Sequence, residues 1–283
     1  MEKSKIIGVL FADKSNSGLT HAYFSGVLDS FKRAAEAKGY DIAFLNSNKQ
    51  GDNRKSYLEQ TRENAYAGVV IACIEFEDEE VQELVKSDIP LAVIDEDIDG
   101  VINVQSDNVE GLKDLVKYIC DMGHSKIAYI IGDDNTVTKA RLKGFIDVCK
   151  ERGISIPADY VKNSYYRDMN RASYYTEELL RMPSPPTCIL YSDDYAAIGG
   201  INVLHARGYD IPTDISVAGY DGLDILGLYE PRLSTVKQNT TEIGRIAAEE
   251  LLADIEAGGR QGKRNIIVKT ELEKGKTIGR IFS

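Results

Sequence analysis

An arginine and two aspartates in the second half of the chain have the chemistry of a site for hydroxyl groups. Arg141 lies near the start of a predicted helix, and Asp193 and Asp221 each follow a predicted strand. A guanidinium donates paired hydrogen bonds to adjacent hydroxyls or to a carboxylate, and a carboxylate accepts hydrogen bonds from hydroxyls. These three residues predict a binding site for a sugar or polyol, with a surface ion pair as the alternative role for Arg141.

Aromatic side chains near the same predicted loops suit this kind of ligand. Flat rings pack on the apolar face of a sugar while a tyrosine hydroxyl reaches a polar edge, but core packing explains any single ring equally well. The aromatic candidates are Tyr23, Phe24, Phe76, Tyr165, Tyr166 and Tyr220. Asp194 differs from the two aspartates above, because its place before a predicted helix predicts a helix cap.

Patterns typical of catalysis and metal binding are missing from the sequence. It contains no G-x-S-x-G, no Walker A segment and no G-x-G-x-x-G after the first predicted strand, and its three histidines suggest no triad. Residues 95–100 imitate the opening of a calcium loop, but the twelfth position is Ser106 instead of glutamate. The acidic residues 77–80 fit the first turn of a helix. We therefore predict no enzyme, no metal and no cofactor.

Composition and charge narrow the functional class. The 283 residues include 45 acidic and 34 basic ones, a formal net charge of −11, so the surface repels nucleic-acid backbones. The four cysteines form no C-x-x-C and predict buried free thiols in a reducing compartment. Neither an export leader nor an apolar run of the roughly 18 residues needed for a membrane span occurs. The sequence predicts a cytoplasmic protein without membrane contact.

Apolar segments and amphipathic segments alternate from end to end. Continuous apolar strands separated by helices are typical of parallel sheets covered on both faces. We therefore predict an α/β fold with two doubly wound parallel-sheet lobes. The predicted strands are 5–12, 41–45, 68–74, 91–94, 127–131, 187–191, 215–220, 233–237 and 265–270. The predicted helices are 21–38, 54–66, 77–86, 108–122, 138–152, 172–182, 195–207 and 241–257.

The carboxyl ends of the predicted strands locate the site. In open α/β sheets, ligands bind beyond these ends, where loops from neighbouring strands meet. Polar and aromatic groups concentrate there. The predicted ends are 12–13, Asn46, 73–76, Asp95, Asp107, 132–133, 192–193 and 220–221.

A series of short motifs follows the same order along the chain. They are Ile-Ile-Gly-Val at 6–9, Tyr-Phe at 23–24, Gly-Tyr-Asp at 39–41, Asp-Asn at 107–108, Gly-His-Ser-Lys-Ile-Ala-Tyr-Ile at 123–130, Arg-Leu-Lys-Gly-Phe at 141–145, Ser-Asp-Asp-Tyr-Ala-Ala-Ile-Gly at 192–199, Ile-Ser-Val-Ala-Gly-Tyr-Asp at 215–221 and Leu-Ser-Thr-Val-Lys-Gln at 233–238. In this order and spacing, the series resembles the effector-binding core of the LacI/GalR family of bacterial transcription regulators. The resemblance covers nearly the whole chain.

The resemblance implies two periplasmic-binding-protein-like lobes of type I joined by three crossing segments, near 122–123, near Gln238 and near 260–265. The first lobe is expected to comprise 1–122 and 239–260, and the second 123–238 and 261–283. Ligand-binding roles carried over by motif fall on Tyr23, Phe24, Asp107, Arg141, Asp193 and Asp221. Phe76 and Tyr166 are placed by neighbourhood, and the spacing of 163–173 does not distinguish Tyr165 from Tyr166.

The resemblance also implies the function. A sugar or related small polar effector is expected to bind in the cleft between the lobes of a homodimer and to change its affinity for operator DNA, acting as a repressor does. Family members read DNA through an N-terminal helix-turn-helix segment, and none precedes Ile6, so we expect the core of a longer regulator. The alternatives are a solute-binding protein for sugar import, which needs an export leader, and a sugar-processing enzyme, which needs an acid/base pair.

Overall fold

The computed structural model describes residues 4–11, 18–47, 54–73, 76–224 and 230–281. Within these residues the strands are β1 (Ile6–Phe11), β2 (Asp41–Phe44), β3 (Gly68–Ala72), β4 (Leu91–Ile94), β5 (Ile102–Ser106), β6 (Ile127–Ile131), β7 (Val161–Asn163), β8 (Cys188–Tyr191), β9 (Ser216–Ala218), β10 (Thr235–Lys237), β11 (Arg264–Val268) and β12 (Glu271–Glu273). The helices are α1 (Ala22–Ala37), α2 (Tyr57–Glu63), α3 (Glu79–Lys86), α4 (Asn108–Asp121), α5 (Thr136–Glu151), α6 (Met169–Leu180), α7 (Asp194–Ala206) and α8 (Thr240–Ala257). None of these helices is both long and apolar enough to cross a membrane.

The chain divides into two compact units. Unit 1 comprises Met1–Ser106 and Asn239–Val268, and unit 2 comprises Asp107–Gln238 and Lys269–Ser283. The chain therefore passes from one unit to the other three times. Each unit contains a parallel sheet, so the predicted α/β fold with two doubly wound lobes is confirmed.

Unit 1 is built on a six-stranded sheet in the order β11-β5-β4-β3-β1-β2, and all of its pairings are parallel. Alternate residues of the strands enter two separate cores. Ile7 and Val9 face the core that contains α1 and α8, whereas Leu10 faces the core that contains α2 and α3. Burial of both faces explains why the sequence of β1 is a continuous apolar run.

Unit 2 has a four-stranded parallel sheet in the order β7-β6-β8-β9. Ile127 and Tyr129 of β6 face the core shared with α4 and α5, whereas Ala128 and Ile130 face the core shared with α6 and α7. The antiparallel pair β10-β12 follows β9, and single parallel bridges join Ala218 to Ser234 and Asp221 to Lys237. Because the sheet is parallel, the carboxyl ends of β6, β7 and β8 and the turn after β9 lie on one side of unit 2.

The observed division differs from the expected lobe boundaries at two elements. Helix α4 was expected in the first lobe, but its apolar face lies in the same core as Ile127 and Phe145 of unit 2. Strand β11 was expected in the second lobe, but it pairs in parallel with β5 of unit 1. The crossings consequently fall at 106–107, 238–239 and 268–269. The expected position of α8 with the first lobe agrees with its packing against α1.

Three short strands were not predicted. Strand β5 carries polar residues among its apolar ones, and its buried Asn103 bonds the backbone of Ile98 and Val101 through its side chain. Strands β7 and β12 have only three residues each, with exposed or half-buried side chains. Such segments lack the apolar run that identified the other strands.

Arg260 closes the carboxyl end of α3 in unit 1. Its Nε donates to Ile89 O at 2.6 Å, its Nη1 to Val85 O at 2.7 Å and its Nη2 to Leu84 O at 3.3 Å. Carbonyls at a helix end have no partner within the helix, and a cation there complements the helix dipole. One arginine therefore bonds two carbonyls in the last turn of α3, Leu84 and Val85, and the carbonyl of Ile89 beyond the helix.

We expect Arg260→Ala to lower the free energy of unfolding by about 2–3 kcal/mol, because it removes several charge-assisted hydrogen bonds. Thermal unfolding of the variant and of Arg33→Ala checks this. Arg33 is an exposed partner of Asp29 at 2.9 Å, so its loss is expected to cost about 0.5 kcal/mol or less. Equal effects of the two substitutions contradict the role assigned to Arg260.

His124 is a buried titratable group that joins three segments of unit 2. Its Nε2 donates to Gly279 O at 3.0 Å, Ser216 Oγ lies 3.0 Å from the same nitrogen, and Nδ1 lies 2.9 Å from Thr187 Oγ1. Burial lowers the pKa of His124, although the hydrogen bond to Gly279 acts in the opposite direction. The folded protein therefore holds this imidazole neutral.

We expect the stability contributed by His124 to be complete above its unfolded pKa of about 6.5 and to be lost as the pH falls through the lower folded pKa. The unfolded chain takes up a proton there that the folded chain does not. Urea unfolding of wild type and His124→Asn between pH 8 and pH 5 measures this: the stability difference between them is expected to shrink as the pH falls. The exposed His205→Asn is the control. A difference that stays constant over this range contradicts the expectation.

Candidate functional site

Arg141 is the centre of a cluster of polar and aromatic groups in unit 2. It lies on the first turns of α5, and only 3% of its surface is exposed. Its Nε donates to Asn108 Oδ1 at 2.9 Å and its Nη1 donates to Ser192 O at 3.1 Å. Among the described residues, no carboxylate lies within ion-pair distance of this guanidinium. Arg141 is therefore buried and does not form the surface ion pair that was its alternative role.

Two tyrosines pack against the guanidinium of Arg141. Its central carbon lies 3.6 Å from the ring centroid of Tyr220 and 5.6 Å from that of Tyr166. The hydroxyl of Tyr220 donates to Asn108 Oδ1 at 3.4 Å, so Asn108 joins the arginine and the tyrosine. Burial opposes the charge of Arg141, but the surrounding hydroxyls and the carboxylate of Asp221 outweigh burial and raise its pKa. The cluster holds a fixed cation against the ring of Tyr220, with the ring of Tyr166 nearby.

Asp193 is fully buried at the end of β8. Its Oδ1 accepts from Ala196 N at 2.9 Å, which makes Asp193 the N-cap of α7. Its Oδ2 accepts from Arg167 N at 2.8 Å and from the Ser192 hydroxyl at 2.8 Å. Burial raises the pKa of Asp193, while these donors and the charge of Arg141 lower it. A carboxylate offers about four lone-pair positions, so about one remains for a ligand.

Asp194 does not cap the helix, in contrast to the prediction. It is the first residue of α7, is fully buried and points towards β10, where its Oδ1 accepts from the Thr235 hydroxyl at 2.6 Å. Its Oδ2 accepts from Leu223 N at 2.8 Å. Burial, together with the negative charge of Asp221, raises the pKa of Asp194 well above its ordinary value. Asp193 takes the cap because its extended backbone precedes the first helical residue.

Tyr166 reaches the cluster from the loop that follows β7. Its hydroxyl lies 2.8 Å from Thr138 Oγ1, and its backbone N–H donates to Asp133 Oδ2 at 2.9 Å. The ring lies against Gly132, where any Cβ would come within 2.6 Å of it. Tyr165 is 50% exposed and packs on Arg171 instead. Of the two tyrosines that the sequence did not distinguish, Tyr166 is the one beside Arg141.

Asp221 and Gln238 form a hydrogen-bonded pair after β9. Asp221 Oδ1 accepts from Gln238 Nε2 at 2.8 Å, and the backbone of Asp221 has a positive φ of 112°. This conformation is strained for a residue other than glycine, and such strain is often found at functional sites. Gln238 is the last residue of unit 2 before the chain enters unit 1. The structure thus holds the Asp221 carboxylate in a fixed direction.

Asp107 is the first residue of unit 2 and the N-cap of α4. Its Oδ1 accepts from Glu110 N at 3.1 Å, while the next residue, Asn108, contacts Arg141. Asp107 therefore lies next to the cluster along the chain, and its side chain caps α4.

The remaining predicted residues belong to unit 1. Tyr23 and Phe24 are buried in the core between α1, α8 and the sheet, and the Phe24 ring centroid lies 5.7 Å from that of Phe11 at the end of β1. Phe76 packs against the core on the opposite face of the sheet, next to α3. All three rings therefore take part in core packing, and their contact with a ligand stays a prediction. Residues 12–13 and 74–75 of the expected strand ends lie outside the described residues.

The structure adds residues that the pattern analysis did not select. Asn108, Ser192, Gln238 and Arg167 each contact one of the selected residues. Asn108, Ser192 and Gln238 stand inside motifs that carry the family resemblance. Arg167 lies outside those motifs, and its backbone contact cannot be predicted from residue type.

Other parts of the described chain contain no alternative site of a recognisable kind. Across the described ranges, no group of three or more histidine, cysteine or acidic side chains could hold a metal ion. Cys149 and Cys188 are buried free thiols, whereas Cys73 and Cys120 are only partly buried. The acidic residues near the start of α3 cap that helix as predicted, with Asp78 Oδ1 accepting from Glu80 N at 3.0 Å.

Comparisons with known proteins agree with this architecture. Residues 116–278 match the family model of a periplasmic binding protein-like domain. The Bacillus subtilis protein named "Probable HTH-type transcriptional repressor ExuR" is 31% identical over 258 residues, which cover 89% of this chain and 75% of that repressor. A LacI family transcriptional regulator from Enterococcus faecium with bound ribose has a TM-score of 0.82 at 23% identity, covering 98% of this chain and 100% of the other. A sugar-binding LacI family regulator from Escherichia coli complexed with phosphate also has a TM-score of 0.82, at 21% identity, covering 99% and 100%.

The fold defined by two parallel-sheet units with three passages between them is that of the periplasmic-binding-protein-like domain. The chain belongs to the LacI/GalR family of transcriptional regulators within this fold class. It is the effector-sensing core of a regulator, and the expectation of a regulator instead of an import protein is confirmed.

Proposed function

We propose that the effector is a small hydroxyl-rich molecule, a sugar or a sugar derivative, that binds to the Arg141 cluster of unit 2. Arg141, Tyr166, Asp193 and Asp221 are its proposed polar and aromatic contacts, with Tyr23, Phe24, Phe76 and Asp107 as further candidates. The bound ribose of the Enterococcus faecium regulator and the sugar-binding Escherichia coli regulator support this class of effector.

The observation that carries the proposal is the state of the Arg141 guanidinium. It is almost fully buried, yet its described acceptors are one amide oxygen and one carbonyl oxygen. No described residue accepts from Nη2. A buried guanidinium with no carboxylate at ion-pair distance has room for a further acceptor, and a pair of ligand hydroxyls supplies one.

The proposed mechanism is a switch between conformations of the regulator. An effector shifts such an equilibrium only by binding one conformation more tightly than the other. A shift from 1:99 to 99:1 requires about 5.5 kcal/mol of preference, which two or three charge-assisted hydrogen bonds in a buried site can supply. In this proposal the switch acts in the cytoplasm on operator DNA, within a homodimer, through a helix-turn-helix segment, and the site binds its ligand without transforming it.

A ligand panel tests the proposal. Thermal unfolding is recorded with pentoses, hexoses, sugar acids, sugar phosphates and nucleosides, and each hit is titrated by calorimetry. A true effector at 100 times its dissociation constant is expected to stabilise the folded chain by about 2.7 kcal/mol. Stabilisation by nucleosides alone, or by no hydroxyl-rich compound at all, contradicts the proposed effector class. Light scattering on the same sample tests the homodimer.

A further inference from the structure

Arg167 is held beside the Arg141 cluster by its backbone. Its φ is 61°, which is uncommon for a residue with a side chain, and its N–H donates to the buried carboxylate of Asp193 at 2.8 Å. Asp193 directly follows Ser192, whose carbonyl accepts from Arg141. Arg141 and Arg167 therefore hydrogen-bond to adjacent residues, Ser192 and Asp193, which follow β8.

Among the residues that the structure describes, none accepts a hydrogen bond from the side chain of Arg167. Its guanidinium carbon lies 4.8 Å from the ring centroid of Tyr195 in α7, and its Nε is buried without a hydrogen-bond partner in the part of the chain that the structure describes. No described carboxylate lies within ion-pair distance of it. Other arginines of unit 2, such as Arg152 with Asp121 and Arg207 with Glu177, do have carboxylate partners.

A buried N–H without an acceptor costs about 1–3 kcal/mol. The chain has an excess of acidic residues, so carboxylates are available to pair with an arginine. An arginine that is nevertheless left without one at a binding site indicates an acceptor supplied by the ligand. A guanidinium forms its strongest pairs with carboxylate and phosphate, because both accept two parallel hydrogen bonds.

We propose that Arg167 binds an anionic group of the effector, a carboxylate or a phosphate, so that the effector is an acidic sugar derivative. This inference rests on the proposed function and narrows its ligand class. Arg141 then contacts the hydroxyls of the ligand and Arg167 contacts its anion, while the ring of Tyr195 holds the second guanidinium in place.

The test is calorimetric titration with matched probes. Glucose is compared with glucuronate and glucose 6-phosphate, and ribose with ribose 5-phosphate. Wild type is expected to bind at least one acidic probe tenfold or more tightly than the matching neutral sugar. Whether glucuronate or a sugar phosphate shows this preference identifies the anion as carboxylate or phosphate. Arg167→Gln is expected to bring this ratio close to one.

Arg171→Gln is the matched control, because Arg171 also lacks a described carboxylate partner but packs on Tyr165, which is exposed. Its acid-to-neutral ratio is expected to equal that of wild type. If Arg167→Gln does not fold, Arg167→Asn replaces it, since asparagine tolerates a positive φ. An acid preference that survives in the Arg167 variant, or a wild type that prefers the neutral sugar, overturns this inference while leaving the proposed function in place. Binding of none of the probes contradicts both.

Discussion

Arg141→Met is expected to raise the dissociation constant of the effector at least 100-fold. Two charge-assisted hydrogen bonds to ligand hydroxyls contribute about 1.5–3 kcal/mol each, and each 1.4 kcal/mol corresponds to a factor of ten. Methionine keeps much of the volume but has no donor. Lysine is expected to fail as well, because its single ammonium cannot replace a fork that also bonds Asn108 and Ser192. Calorimetric titration of each variant with the effector that binds wild type measures the change in dissociation constant.

The burial of Arg141 means that these variants also lose stability, so the titration must be done where each variant is folded. Circular dichroism with thermal unfolding establishes that temperature. Arg152→Met, at the end of the same helix, is the matched control, because Arg152 is an exposed partner of Asp121 at 2.7 Å. Its effector affinity is expected to stay within twofold of wild type. A folded Arg141→Met that binds the effector as wild type does contradicts the assigned role.

Gly144→Val is expected to destabilise unit 2 by about 3 kcal/mol or more, because it forces apart two closely packed helices. A Cβ on Gly144 of α5 would lie 2.5 Å from the carbonyl oxygen of Val109 in α4. Helix α4 carries Asn108, which bonds Arg141 of α5. Separating the two helices therefore also weakens effector binding, although residue 144 itself has no described contact with the proposed ligand residues.

Thermal unfolding and effector titration are measured together for this variant. Ile146→Val on the same helix is the control, because Ile146 is 51% exposed and such surface changes are usually worth about 0.5 kcal/mol or less. Gly144→Val with an unchanged unfolding midpoint contradicts the close packing of α4 on α5. A lowered midpoint with unchanged effector affinity at a temperature where the variant is folded separates the helix contact from the site.

The sequence predicted strands best where both faces of the strand are buried. Strands β4 and β6 were predicted with their observed bounds, because residues facing both cores must be apolar and the pattern is a continuous run. Strand β5 was not predicted, because the polar residue Asn103 interrupts its apolar run. The Asn103 side chain hydrogen-bonds the backbone of Ile98 in the preceding turn. The place of α4 could not be predicted either. An amphipathic face shows that a helix is covered, but it does not show which sheet covers it.

The site was partly predictable for a similar reason. Arg141, Asp193 and Asp221 stand out because a charged residue at the end of an apolar strand or the start of a helix needs an explanation. The capping of α7 by Asp193 instead of Asp194 was not predictable, because two adjacent aspartates before a helix are equivalent in the sequence pattern. Arg167 is positioned by a backbone hydrogen bond and a positive φ, and residue type predicts neither of them.

The crystal structure of this chain with a panel compound that stabilises it is the most direct test. We expect the oxygens of the compound to lie about 2.7–3.2 Å from Arg141 Nη2 and from a carboxylate oxygen of Asp193, with its ring against Tyr166. A compound bound elsewhere, with Arg141 contacting only Asn108, Ser192 and the two tyrosines, contradicts the proposed binding site.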